Sequence, residues 1–121
     1  MLYAILCYHD EAEVNSWPKE KDDAVLAKRA VVTQKLAAQG KLGPVARLMP
    51  TTAATTVRSG REPWIIDGPF AETKEQLLGF YIVDCATLEE ALEAARELGR
   101  DETGALEVRP LRVFMPGSRP A

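Results

Sequence analysis

The chain predicts an α+β fold, and three observations carry that expectation. Two short runs, Leu2 to Tyr8 and Gly79 to Cys85, are apolar on both alternating faces, the pattern of central strands covered on each side. Two longer segments, 15–40 and 87–99, repeat apolar residues at helical spacing between recognisable start and stop residues. Strand-like and helix-like segments alternate along 121 residues, which suits a single domain over 1–115 with a loose tail at 116–121.

In the first strand Leu2, Ala4, Leu6 and Tyr8 share one face, and Tyr3, Ile5 and Cys7 the other. Asn15-Ser16-Trp17-Pro18 supplies a cap candidate and a proline suited to a first helical turn, and Gly40 is a good stop. The apolar stripe of this helix is Ala24, Val25, Val31, Val32 and Leu36. Lys28 and Lys35 fall in the same arc, so their methylene stems should cover the core edge while the ammoniums reach water. After Gly43-Pro44 a short strand is expected from Val45 to Met49, ending at Pro50. Thr55 to Arg58 and Pro63 to Ile66 flank Ser59-Gly60 and read as a hairpin.

The loop Asp67 to Leu77 follows, then the second two-faced strand. Thr87 with Glu90 forms a capping-box pattern, and Leu88, Ala91, Leu92, Ala95 and Leu98 recur at helical spacing up to Gly99. Leu106 to Met115 reads as a last strand, with Pro110 pointing to a sheet edge or bulge. This order matches a split βαβ, ferredoxin-like plan with an inserted hairpin. Two helices cover one face of such a sheet. The other face is also apolar in its central strands, and a second copy of the chain is the economical cover, which predicts a homodimer.

Composition narrows the partners. An apolar share of 46% with 27% charged residues is ordinary for a soluble globular protein. Residues 1–60 hold eight Lys or Arg against six acids, and 61–121 seven against twelve, which is no footprint for nucleic acid. The apolar run Met1 to Tyr8 is far short of the roughly 20 residues a membrane-spanning helix needs, and it lacks a basic flank and cleavage site. A cytoplasmic protein with no membrane partner is expected. Cys7 and Cys85 lie in strand-like runs without metal or redox spacing, and the chain has one histidine, so a dedicated zinc site is not expected, although carboxylates could hold a hard cation; no metal site and no cofactor are assigned. No catalytic-triad order, phosphate loop or dinucleotide fingerprint is present.

Asp67-Gly68-Pro69-Phe70-Ala71-Glu72-Thr73-Lys74-Glu75-Gln76-Leu77, followed by Gly79-Phe80-Tyr81-Ile82-Val83-Asp84, closely resembles the signature of the DGPF-domain branch of YCII-related proteins. Thr55 to Arg58, the Leu88 to Leu98 helix, Glu107-Val108-Arg109-Pro110, and Tyr8 with Asp10-Glu11 are similar to that family too. The resemblance implies a dimeric α+β barrel of ferredoxin-like subunits. It implies no single reaction: the wider group includes proteins with a proposed His and Asp acid/base pair, one resembling a dehydrochlorinase of hydroxylated aromatics. Other DGPF proteins are associated with sigma factors of the extracytoplasmic-function type. His9 stands where the branch has a glycine or other small residue, so no family role passes to it, whereas Asp10 matches.

Candidate catalytic residues are therefore Asp67, His9 and Asp10, and candidate ligand-binding residues are Tyr8, Phe70, Glu72, Lys74 and Arg109. A histidine titrating near neutral pH beside carboxylates suits proton transfer. Asp67, at a strand end, either lines a cavity or accepts bonds from the next amides as a turn or cap. Phe70 either plugs the core or walls a cavity. Arg109 offers a fork for an anion or a structural ion pair. The rim holding Tyr8, His9 and Asp10 is expected near the strand end at Asp84, and the resemblance implies that the Asp67 loop closes over it. The reading that results is a cofactor-independent acid/base enzyme acting on a small polar or aromatic molecule under this loop. The alternative is a non-catalytic regulatory or interaction protein, such as a sigma-factor accessory.

Overall fold

A computed structural model describes residues 1–119; the last two residues of the expected tail lie outside the described residues. The main sheet has four antiparallel strands, β1 (Leu2–His9), β2 (Leu42–Arg47), β5 (Gln76–Asp84) and β6 (Ala105–Pro110), in the order β2-β5-β1-β6. A separate hairpin pairs β3 (Thr55–Arg58) with β4 (Trp64–Asp67). Three helices, α1 (Glu11–Ser16), α2 (Lys19–Ala38) and α3 (Leu88–Leu98), complete the α+β architecture. Among the described residues no helix is long and apolar enough to cross a membrane.

The core forms where the odd-numbered face of β1 meets the helices. Tyr3, Ile5 and Cys7 pack with Tyr81 and Val83 of β5, Val32 and Leu36 of α2, and Ala91, Ala94 and Leu98 of α3. The even-numbered face is apolar as well, with Ala4 and Ile82 buried and Leu2, Leu6 and Phe80 half-buried. Helix α3 starts as its residues dictate, since the Thr87 hydroxyl accepts the Glu90 N–H at 3.2 Å. The Glu90 carboxylate does not close the box; it pairs with Lys41.

Four expectations are corrected. The inward arc of α2 is Val25, Arg29, Val32 and Leu36, spaced i, i+4, i+7 and i+11, while Ala24 and Val31 face solvent. Lys28 ends in an ion pair with the buried Glu102 rather than in open water, while half-exposed Lys35 reaches water as expected and pairs there with Glu97. Strand β2 begins at Leu42 and takes Gly43-Pro44 into the sheet, because a register shift between Leu42 and Val45 accommodates the proline. Strand β6 stops at Pro110, which sits on an edge strand as its missing N–H requires, so residues 111–115 leave the ladder.

Candidate functional site

Short helix α1, absent from the sequence-based expectation, turns the chain over the end of β1. Asp10 starts it: its Oδ1 accepts the Ala12 N–H at 3.0 Å. Because β1 and β5 run antiparallel, Leu2 pairs with Asp84 and His9 with Gln76. The His9 rim therefore lies at the beginning of β5, not at its Asp84 end. The loop does reach this rim, but through its last residues. Gln76 Oε1 accepts the Glu11 N–H at 2.9 Å and its Nε2 donates to the Thr73 carbonyl at 2.5 Å. The Glu11 carboxylate accepts the Thr51 N–H at 3.0 Å, tying a short 3-10 turn to the same corner.

Under α1 and the start of α2 lies a cavity of about 210 Å³. Val14, Trp17, Val25 and Leu26 wall it, Cys7, Gly79 and Tyr81 line it from the sheet, and Tyr8 and His9 border it at the rim. His9 is only 7% exposed although imidazole is polar. Its Nε2 lies 2.9 Å from the Thr103 hydroxyl, and its Nδ1 lies 3.3 Å from the Asp10 carbonyl and 3.9 Å from Glu13 Oε2. Thr103 in turn stands 3.4 Å from Glu13 Oε1, so one hydroxyl bridges the buried ring to a carboxylate that is half in water. The Trp17 indole meets His9 edge to face at 5.6 Å between centroids.

An ion pair occupies another part of the wall. Arg29 grips Glu102 with two bonds, Nη2 to Oε1 at 2.7 Å and Nε to Oε2 at 3.1 Å, and Lys28 reaches Oε2 at 2.8 Å. Arg29 Nη1 also donates to the Tyr81 hydroxyl at 3.3 Å and contacts Cys7 Sγ at 3.6 Å. Burial by itself would raise the Glu102 carboxyl, but the hydrogen bonds from Arg29 and Lys28 outweigh it and hold the group below the usual carboxylate range. Burial pushes the Cys7 thiol up, only partly offset by Arg29, which leaves it protonated and a poor nucleophile.

The other sequence candidates are distributed outside this cavity. Asp67 is exposed at the end of β4, opposite Thr55. Backbone and threonine bonds lock the corner there, Gly68 N–H to the Ala54 carbonyl at 2.7 Å and the Thr56 hydroxyl to the Gly68 carbonyl at 2.8 Å. Phe70 neither plugs the core nor walls the cavity; it is 68% exposed beneath the Arg58 guanidinium. Glu72 borders a separate depression with Thr51, Gly68, Pro69 and Gln76, and Lys74 is exposed. Arg109 pairs with Glu107 at 2.6 Å on its own strand face.

Five residues escaped sequence reasoning: Arg29, Glu102, Trp17, Thr103 and Glu13. Arg29 left one signal, a charge at a core position of the α2 arc. Glu102 sits in a turn, and nothing in its surroundings along the chain marks its partner 73 residues away. The model of the YCII-related domain matches residues 1–115. The chain belongs to the YCII-related family. Within it, an uncharacterized protein of Rhizobium meliloti (strain 1021) is 56% identical over 124 positions that span the whole of both chains. Family membership of this YCII-related chain thus extends across β1 to β6, the cavity included.

Proposed function

We propose that this YCII-related chain binds a small molecule in the His9 cavity and acts on it by proton transfer, without a cofactor. The carrying observation is a buried imidazole on the wall of a largely apolar cavity, linked by one hydroxyl to a half-exposed carboxylate. Neutral His9 accepts the Thr103 proton at Nε2 and donates from Nδ1 to the Asp10 carbonyl. Once it takes a proton from a ligand, Thr103 can turn its hydroxyl to Glu13, whose carboxylate also faces Nδ1 as counter-charge. Asp10 acts through the α1 cap. Asp67, Phe70, Glu72, Lys74 and Arg109 are given no part in this cavity.

Thermal-shift screening against small carbonyl and hydroxylated compounds tests the reading. A true ligand at one hundred times its Kd adds about 2.7 kcal/mol of apparent stability. His9→Gln should retain the shift while turnover falls by about 10²- to 10⁴-fold. If no compound stabilises the protein, or if His9→Gln turns over a stabilising compound as fast as the wild type, the reading fails.

We further place the chain in the DGPF-domain branch, as one cytoplasmic ferredoxin-like domain over 1–115 that works as a homodimer. The loop residues Asp67 to Leu77 support the branch, the strand order β2-β5-β1-β6 supports the plan, and two unpaired buried cysteines suit a reducing compartment. Exposed surface supports the dimer: 8678 Å² remains accessible, against roughly 6,500 Å² for a monomer of this length. Light scattering at micromolar concentration should give twice the chain mass; a stable monomer contradicts the dimer. The second reading, an interaction protein such as a sigma-factor accessory, draws on the hairpin residues Val57, Trp64 and Ile65, exposed by 63%, 57% and 69%.

A further inference from the structure

We infer that Arg47 is the charge anchor of the His9 cavity, and that the ligand is a small carboxylic acid whose apolar body is about one ring in size. This rests on the cavity reading above and names its substrate class. Arg47 reaches the cavity from β2. Its Cα partner is Gly79, which pairs in turn with Cys7, and Val45 pairs with Tyr81. Cys7 and Tyr81 belong to the core under the helices, so Val45 and Arg47 stand on that same face of the sheet. The side chain follows that direction, since Arg47 Nη2 donates to Oδ1 of Asp22 on α2 at 3.1 Å. Gly79 contributes no side chain, which leaves the cavity floor bare between Cys7 and Arg47.

Asp22 and Leu26, one turn apart on α2, line the cavity together with Val45 and Arg47 of β2. All four reach solvent, so they mark its mouth: Leu26 and Val45 are 43% and 47% exposed beside an ion pair whose side chains are 32% and 54% exposed. Of the two arginines on the wall, Arg29 is committed to Glu102 and Tyr81. Arg47 spends one N–H on Asp22, and among the described residues nothing else accepts from its side chain. An exposed pair of this kind contributes little stability, so exchanging one carboxylate for another at Arg47 costs little. Asp22 lies in the first turn of α2, where the helix N-terminus favours its charge once Arg47 turns away. An amine drawn to Asp22 would instead have to sit beside the Arg47 charge. The guanidinium fork can grip an incoming carboxylate through two parallel N–H bonds. Size then limits the body: a cavity of roughly 150 Å³ holds benzene, and about 210 Å³ admits one ring with a short substituent. The ligand's charge thus stays at the mouth while its ring enters the cavity that His9 borders.

Phenylacetate, phenylacetamide and phenethylamine test this, since they share a ring and a short arm but differ in charge. Calorimetric titration of the wild type should show phenylacetate binding about tenfold more tightly than the amide. In Arg47→Gln that preference should shrink to within about twofold while the amide keeps its affinity, which shows the cavity intact. Asp22→Asn removes the competing carboxylate and should tighten phenylacetate about two- to fivefold, a gain that a purely structural bridge would not give. A wild type that prefers the amide or phenethylamine, an unchanged preference in Arg47→Gln, or no tightening in Asp22→Asn overturns the inference and leaves the His9 reading standing. Failure of all three probes to bind the wild type overturns the cavity reading together with it.

Discussion

Replacing Arg29 by Met should destabilise the protein by about 2–4 kcal/mol, the largest loss expected from any charged residue here. The Glu102 side chain is only 7% exposed, so without Arg29 its carboxylate would stay buried with Lys28 as its one remaining cation. A buried charge that loses its partner costs more than the pair was worth, because desolvation has already been incurred. The double variant Arg29→Met with Glu102→Leu should therefore recover most of the loss, since the cost lies in the orphaned charge and not in the missing bond. Lys28, a third exposed, can turn its ammonium to water in that variant. Thermal unfolding would separate the outcomes, with a fall of roughly 10 °C for the single variant and a few degrees for the double. Equal losses in both variants would show that the pair contributes net stability of its own.

Acid gives a second view of the same pair. Glu102 is held below the usual carboxylate range in the fold, so its contribution is fully present above about pH 4.3, the ordinary Glu value. That contribution is lost as pH falls through the lower, folded value. Wild-type stability should therefore drop more steeply below about pH 4 than that of the double variant.

Gly104→Ala is expected to cost about 3–5 kcal/mol, from two causes that act together. Gly104 adopts φ 103°, a conformation that strains side-chain-bearing residues by about 1–3 kcal/mol. A Cβ there would also stand 2.6 Å from the Tyr8 carbonyl and 2.7 Å from His9 Cδ2. The carbonyl belongs to the β1 ladder and cannot retreat, so the His9 ring or the 103–105 turn must move. Gly60 provides the control: its φ is 147°, yet a Cβ would meet nothing within 4 Å. Gly60→Ala should cost about 1–2 kcal/mol and leave the His9 ring signals unchanged by NMR. Comparable losses at both positions would mean that backbone strain alone, and not the seating of His9, accounts for Gly104.

Much of the architecture was legible because it is written in local patterns. Alternation marked β1 and β5, the Thr87 cap and helical spacing marked α3, and the missing N–H of Pro110 put β6 at an edge. Helix α1 was missed because six residues are too few to display a 3.6-residue period, and Asp10 looked chemical when its local duty is a cap. The loop drew attention through the density of Gly, Pro and charge, which are the residues a corner needs whether or not a ligand visits it.

By itself, the sequence determined the two central strands and the two longer helices, that both faces of the central strands are apolar, and that the chain resembles the YCII-related family. Tertiary structure decided which polar residues meet. His9, Thr103 and Glu13 converge across 94 and 90 positions, and Arg29 finds Glu102 across 73, distances along the chain at which no local period carries information. The cavity exists only because α1 turns back over the end of β1, its C-terminal end presents Trp17, and α2 presents Val25 and Arg29 to the same space. Local propensity sets an element's type, but the coincidence of side chains from four elements is fixed by packing and by the pairing of buried charges.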